Sequence, residues 1–454
     1  VAQKRLFGTD GIRATANHFP MTPDIILKIG QALGHLIQKD PQRNQIPKVV
    51  IGKDTRLSGY MVELALTSGL NSMGVHVQLV GPLPTPGIGF LARNMRADAG
   101  IVISASHNPF HDNGIKIFGS DGFKISSDME NQIESLVLDQ DLNSFLMDPK
   151  KLGRTKRIED AAGRYIVDIK NTFPLEMTLD GLRIVLDCAN GAAYKVAPAV
   201  FEELGAEVII LGNRPNGFNV NDKAGALYPA NMAEAVQKYR ADVGVSLDGD
   251  ADRVIMCDEN GSLVNGDHIL AICALHMKEK QKLPKNTVVA TLMSNFGLDK
   301  LMKENGIQVV RTAVGDKNVV EEMRRYGYTL GGEQSGHIIF LQHSTTGDGC
   351  VAALNVLAVM KEKQKKLSVL RGVMEDVPQI LINTKVKNKK DFLDIGGFSE
   401  LKSKIENDLK GEGRILVRYS GTENVARILV EGPDKIKIAQ HAEAMGTLLE
   451  KNLK

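Results

Sequence analysis

Cysteine is scarce in this 454-residue chain, and net charge is almost absent. The four cysteines, Cys188, Cys257, Cys273 and Cys350, stand far apart with no C-x-x-C pair. That excludes a zinc ribbon and a disulfide-built scaffold, and suits reduced thiols. Lys plus Arg number 56 against 54 Asp plus Glu, a formal net charge of +2. So even a balance carries no electrostatic footprint for nucleic acid or an anionic membrane, and any bound anion must be held by a local cluster. No uncharged apolar run approaches the roughly 18 residues that span a bilayer. Lys4, Arg5, Asp10 and Arg13 interrupt the first residues, so no secretory apolar segment reads from them. The expectation is a cytoplasmic protein with neither nucleic acid nor membrane among its partners.

What is present is ordinary globular material, 43% hydrophobic and 24% charged, long enough for roughly three domains of about 150 residues. Lys48 to Gly52 reads as a buried strand, Gly59 to Met73 as a helix, and Val75 to Val80 and Ala99 to Ser104 as further strands. This alternation predicts α/β layers with a largely parallel sheet. An internal echo repeats the unit: helix, glycine, strand at Gly74, Gly205 and Gly306. A glycine after a helix followed by an apolar run is a helix stop and strand start. Three copies, about 130 and 100 residues apart, favour three α/β domains over one large sheet. The tail changes pattern. Gln379 to Val386 reads as a strand, Gly397 to Leu409 as a helix, Arg414 to Tyr419 and Arg427 to Glu431 as a hairpin, and Ile436 to Asn452 as a closing helix. That is a small α+β domain. The lysine-rich stretches 361–366 and 385–390 read as solvated surface and linker.

The most informative segment is Ala241-Asp-Val-Gly-Val-Ser-Leu-Asp248-Gly-Asp250-Ala-Asp252-Arg253. An apolar strand runs out, and three carboxylates follow at i, i+2 and i+4. Gly249 and Ala251 let the loop curl until the carboxylates converge, and converging carboxylates need a cation. A hard divalent ion fits, Mg²⁺ where phosphate completes its shell. Asp248 to Glu259 also approaches an EF-hand loop, but Arg253 occupies the position that needs glycine, and the flanks read as strands.

A second segment, Gly100-Ile-Val-Ile-Ser104-Ala-Ser106-His107-Asn108-Pro109, ends a buried strand on small hydroxyl residues. The carboxyl end of a strand is where open α/β sheets put their ligands. The absence of a G-x-S-x-G elbow weakens a hydrolase reading of Ser106. His107 and His111 have zinc-like spacing, but Pro109 between them opposes the helix it needs, so both read as solvated loop residues. Arg418-Tyr-Ser420-Gly421-Thr422-Glu423 offers a guanidinium, hydroxyls and freed backbone N–H groups, a compact anion cradle. Gly331-Gly-Glu333-Gln-Ser335-Gly-His337 is a polar loop between strands, suited to sugar hydroxyls.

In order and spacing these four segments, with Phe7-Gly-Thr-Asp-Gly-Ile-Arg13-Ala near the start, closely resemble the α-D-phosphohexomutase family over essentially the whole chain. The wording around Ser106 and His337 resembles its glucosamine branch more than the mannose/glucose branch. The resemblance implies three α/β domains with mixed, largely parallel sheets and a small C-terminal α+β domain around a central cleft. Their expected bounds are 1–160, 161–264, 265–377 and 378–454. Ser106 would carry a phosphoryl group, with Mg²⁺ held by it and by Asp248, Asp250 and Asp252. Arg13, His107, Lys116 and His337 would serve the transfer site, and Arg253 would neutralise charge beside it. Glu333 and Ser335 would contact sugar hydroxyls, while Arg418, Ser420, Gly421 and Thr422 would hold the phosphate that does not react. Asn424 stands where the family commonly has proline, so the loop loses a source of rigidity.

The implied activity interconverts glucosamine 6-phosphate and glucosamine 1-phosphate, with glucosamine 1,6-bisphosphate as intermediate and activator, and supplies amino-sugar precursors of the cell wall. Alternatives left open are a mannose or glucose phosphomutase, a metal-dependent sugar phosphatase and a non-catalytic sugar-phosphate sensor. A homodimer is compatible with this reading.

Overall fold

The computed structural model describes residues 6–8, 10–39, 46–420 and 424–453. It divides into two compact units: residues up to Thr291 with Val310–Arg371, and Leu292–Val309 with the residues from Gly372 on.

The first unit is built on three sheets. Among the described residues its first sheet has seven strands, and three adjacent ones are the apolar runs anticipated above. Lys48–Lys53 lies parallel to both His76–Pro82 and Ala99–Ile103. Ala99–Ile103 is buried along its whole length, which is why it reads as a continuous apolar run without alternation. Asp112–Gly119 then pairs antiparallel with it, and Gly11–Thr15 antiparallel with Asp112–Gly119. The sheet is therefore mixed.

The second sheet sets Val243–Leu247 parallel to Arg183–Asp187 and antiparallel to Val254–Asp258. In the third, Leu330–Gly332 runs parallel to Thr287–Thr291 and antiparallel to Ile338–Phe340. The three glycines of the echo all take positive φ, at 76°, 99° and 58°, the left-handed conformation that ends a helix at low cost.

The helix Pro23–Gln38 shows how the layers close. Thr22 caps it in extended conformation and Pro23 opens it. Ile26, Ile29, Leu33 and Ile37 follow at helical spacing and are buried in one core with Val62, Leu66 and Leu70 of the helix Gly59–Ser72.

In the second unit, Gln379–Lys385 and Arg414–Tyr419 both pair antiparallel with Val425–Glu431. The helix Lys435–Leu453 buries Ile438, Ala442, Met445 and Leu449 in a core shared with Ile428 and Val430. The strand and helix order is the β-α-β-β-α expected for the tail. Among the described residues, no helix is long and apolar enough to cross a membrane.

Candidate active site

Ser106 follows the buried strand Ala99–Ile103 and is itself 1% exposed. Its φ of 50° is left-handed, uncommon for a residue with a Cβ. The Ser106 hydroxyl donates to Asp248 Oδ2 at 2.7 Å. Asp248, Asp250 and Asp252 leave the end of Val243–Leu247 in a loop that Ala251 turns with a φ of 56°. All three are buried, with ligand atoms within 4.8 Å of one another, a group able to hold a metal ion.

The donor set fits such an ion. Asp250 Oδ2 is taken by the Thr85 hydroxyl at 2.6 Å and by Lys116 Nζ at 2.9 Å. Asp250 Oδ1 is buried without a hydrogen bond, and Asp252 Oδ1 has only long ion pairs, 3.7 Å to His337 and 3.9 Å to Arg253. Buried carboxylate oxygens left so are costly unless a cation meets them. Burial, followed by the repulsion of Asp252 and Asp250, pushes Asp248 well above the usual carboxylate range, and a divalent cation would cancel that repulsion. Burial alone would raise Asp252 too, but Lys116 and His337 beside it hold it well below.

Lys116 lies on Asp112–Gly119, opposite Val102 of the neighbouring strand, so the same sheet delivers it beside Ser106. Its ammonium, fully buried, also reaches Asp252 at 3.2 Å and Asp10 at 3.2 Å. Burial would lower its pKa; Asp10, Asp250 and Asp252 together raise it well above normal. Asp10 in turn meets Arg13 at 2.8 Å and Lys124, which bonds Asp316. Arg13 also donates to Asn108 Oδ1 at 3.2 Å.

His337 sits with Nδ1 at 3.7 Å from Asp252 and Nε2 at 3.6 Å from Asp316, and the Gly347 N–H donates to Nε2 at 3.1 Å. The turn carrying it is fastened to the metal loop's far side, where the Val254 N–H donates to Gly336 O at 3.0 Å. Glu333 on that turn accepts from the Gly315 N–H at 3.0 Å, while Ser335 is exposed. Arg253 donates its N–H to Asp248 at 3.2 Å and holds its guanidinium 3.9 Å from Asp252.

Contacts thus link Arg13, His107, Lys116, Arg253, His337 and the three aspartates into one cluster with Ser106, whereas Glu333 and Ser335 form no hydrogen bond with Ser106 or the aspartates. One expectation needs adjusting. His107 is only partly solvated. Burial, then Arg253 and Arg13, pull its pKa down to about 4, so near neutrality its ring is an uncharged neighbour of Ser106, Nδ1 to Oγ 3.4 Å. Asp10, Thr85, Lys124 and Asp316 escaped sequence reasoning. Asp10 was in plain view inside the Gly8-to-Arg13 segment, but nothing local marks the others as neighbours of a metal loop far along the chain.

In the second unit, Arg418 lies directly opposite Arg427 across the antiparallel pair. Burial and Arg427 lower the Arg418 pKa. Two like charges directly opposite on one sheet face repel, and the strand register alone reveals this pairing. Sequence reasoning did not single out Arg427. Ser420, which follows the Arg418 strand, is buried, while Gly421 and Thr422 lie outside the described residues. The lysine-rich stretch is more than linker: Lys385 ends a strand, and Lys389 donates to Ser420 O at 2.7 Å. Tyr419, stacked on Phe392 at 4.3 Å, donates its hydroxyl to Lys390 O at 2.8 Å. These contacts brace the strand end on which the loop begins.

Four family profiles match the chain in succession. Those described as phosphoglucomutase/phosphomannomutase alpha/beta/alpha domains I, II and III match residues 4–144, 163–261 and 265–377, and the C-terminal domain of the same family matches 381–447. The chain belongs to the phosphoglucomutase/phosphomannomutase family, the α-D-phosphohexomutases. Among curated relatives, the phosphoglucosamine mutase of Bdellovibrio bacteriovorus is 67% identical over 451 residues, 99% of each chain. That of Geotalea daltonii is 56% identical over 450 residues, 99% of this chain and 98% of its own. A solved family member from Burkholderia thailandensis superposes with a TM-score of 0.80 at 23% identity, covering 100% of this chain and 98% of the other. The Aspergillus fumigatus N-acetylphosphoglucosamine mutase, solved with GlcNAc-6P and magnesium, has a TM-score of 0.66 at 17% identity, covering 99% of this chain and 96% of its own. Both share the phosphohexomutase fold.

Proposed function

We propose that this phosphohexomutase interconverts glucosamine 6-phosphate and glucosamine 1-phosphate in the cytoplasm, upstream of amino-sugar precursors of the cell wall. The observation that carries the reading is the 2.7 Å contact of the Ser106 hydroxyl with Asp248, inside a buried cluster of three carboxylates. The names of the 67% and 56% identical relatives support the substrate.

The P–O bond of phosphoserine 106 breaks as a hydroxyl oxygen of the bound sugar phosphate bonds to phosphorus, and overall the proton that this hydroxyl loses replaces the phosphoryl group on Ser106 Oγ. The resulting glucosamine 1,6-bisphosphate turns end over end, and the other phosphoryl group returns to Ser106. Asp248, Asp250 and Asp252, with the phosphate on Ser106, would hold Mg²⁺, which when bound neutralises charge on the transferring group. Lys116 and Arg13 would stabilise that charge, and His107, 3.4 Å from Ser106 Oγ, and His337, beside Asp252, would complete the transfer site. Glu333 and Ser335 contact sugar hydroxyls. Arg418, Ser420, Gly421, Thr422 and Arg427 hold the phosphate that does not react, in a cradle indifferent to which end of the sugar bears it. The boundaries 1–160, 161–264, 265–377 and 378–454 remain the proposed domain limits.

The test is incubation with glucosamine 6-phosphate, Mg²⁺ and a trace of glucosamine 1,6-bisphosphate, in parallel with glucose and mannose 6-phosphates. Glucosamine 1-phosphate as the preferred product is expected. Preference for a neutral hexose would move the chain to the other branch, and inorganic phosphate as the sole product would make it a phosphatase.

A further inference from the structure

Behind the loop that presents Ser106 lies a charged side chain that takes no part in the chemistry just described. Arg56 follows the strand Lys48–Lys53 in the turn Asp54-Thr-Arg56, and at 1% exposure it is the largest fully buried side chain among the described residues. A guanidinium has five N–H donors in a fixed plane, and here each has a destination. Nε donates to Asp54 Oδ2 at 2.7 Å. Nη2 donates to the carbonyls of Ser106 at 2.9 Å and Asn108 at 2.8 Å. Nη1 donates to the carbonyls of Asp112 at 3.0 Å and Pro109. One side chain thus ties four carbonyls of the loop 106–112 to the neighbouring strand.

Asp54 completes the clamp. Its Oδ1 accepts the Arg56 N–H at 3.0 Å, and its Oδ2 also accepts the Ser104 hydroxyl at 2.6 Å. The Ser104 oxygen in turn accepts the Ser106 N–H at 2.9 Å. The peptide groups on both sides of Ser106 are therefore fixed by this single ion pair, at the residue whose left-handed backbone most needs holding. Asn221, from the second sheet's domain, adds donors to the Ser106 and Asn108 carbonyls at 2.8 and 3.3 Å. A buried ion pair is a poor source of stability but a strict source of geometry.

We infer that Arg56 is a positioning residue for phosphoryl transfer, setting through the loop 106–112 where Ser106 Oγ stands against Asp248. The inference rests on Ser106 as the phosphate carrier. Lys at this position keeps the charge beside Asp54 but cannot span four carbonyls with one nitrogen.

The experiment compares wild type, Ser106→Ala and Arg56→Lys in steady-state kinetics, with circular dichroism and a titration of phosphorylatable Ser106 by glucosamine 1,6-bisphosphate. Turnover by Ser106→Ala would sink the carrier reading itself. With that variant inactive, Arg56→Lys should lose about a hundredfold in kcat per phosphorylatable site, the scale of a 1 Å misplacement. Its KM should stay within about threefold, because Arg56 is assigned no substrate contact. The rate of Ser106 phosphorylation should fall with kcat. Wild-type kcat per phosphorylatable site overturns the inference, and so does a loss confined to KM. If Arg56→Lys yields no folded protein, Asn221→Ala decides: a loss in kcat alone supports positioning through these carbonyls, and unchanged kcat overturns it.

Discussion

The Ser106 hydroxyl and the Asp248 carboxylate, 142 residues apart in sequence and both buried, share a 2.7 Å hydrogen bond. Two sheets deliver them, each at the carboxyl end of a buried strand. A phosphate on that hydroxyl enters a cluster of three carboxylates, an arrangement workable only with a cation between them.

Intact mass of the active enzyme should therefore show one phosphate, absent from Ser106→Ala, which should be inactive toward glucosamine 6-phosphate. Phosphate at another residue, with activity retained, would remove Ser106 as carrier. Because phosphate adds about −1.5 to −2 charges, the phosphorylated enzyme should bind Mg²⁺ more tightly than the dephosphorylated form, as calorimetry can measure.

Thr85 orients Asp250 without facing the free Oδ1. Thr85→Val should weaken Mg²⁺ binding about ten- to a hundredfold, the usual consequence of losing a hydrogen bond that aims a metal ligand. Asp250→Asn should weaken it more, and chelation should abolish turnover in the wild type. Equal metal affinity in wild type and Thr85→Val would leave Thr85 a packing residue.

Arg418 and Arg427 face each other across the tail's antiparallel pair, and the proposed phosphate cradle uses both. Each charged hydrogen bond to phosphate is worth about 1.5–3 kcal/mol, so Arg418→Ala and Arg427→Ala should each raise KM about ten- to a hundredfold. Ser106 phosphorylation by bisphosphate should suffer less than in Asp248→Asn. Unchanged KM for Arg427→Ala would restrict the cradle to Arg418 and its loop.

Asp348 gives a pH signature away from the reacting groups. Burial raises its pKa from 3.8 to about 6, while the Tyr165 hydroxyl donates to it at 2.7 Å and the Val351 N–H at 3.0 Å. A carboxyl with a raised native pKa binds its proton more tightly when folded, so it costs stability as pH rises from about 4 to about 6, and the full cost remains above that. Asp348→Asn keeps the helix cap and removes the charge. Relative to wild type, its urea midpoint should climb across this interval, by up to about 3 kcal/mol in stability, and level off above it. A difference independent of pH would show that Asp348 titrates normally.

Much of this protein was legible in one dimension because the deciding interactions were local. The apolar runs 48–52 and 99–104, the glycines at 74, 205 and 306, and the tail's strand and helix order follow from rules that act within a few residues. The same holds for Asp248, Asp250 and Asp252. Carboxylates at every second position of a short loop after a strand converge wherever that loop is placed. The tertiary structure alone decided which charges meet. Lys116 reaches Asp250 and Asp252, Thr85 reaches Asp250, and Arg427 faces Arg418 through sheet register and domain packing, neither of which leaves a local pattern. His107 and Arg56 make the same point about environment. A histidine in a polar loop reads as solvated until burial pulls its pKa down, and nothing local marks Arg56 as the residue that loop carbonyls surround. Spacing along a chain sets local geometry, whereas desolvation and partner charge depend on what other segments bring to the same point in space.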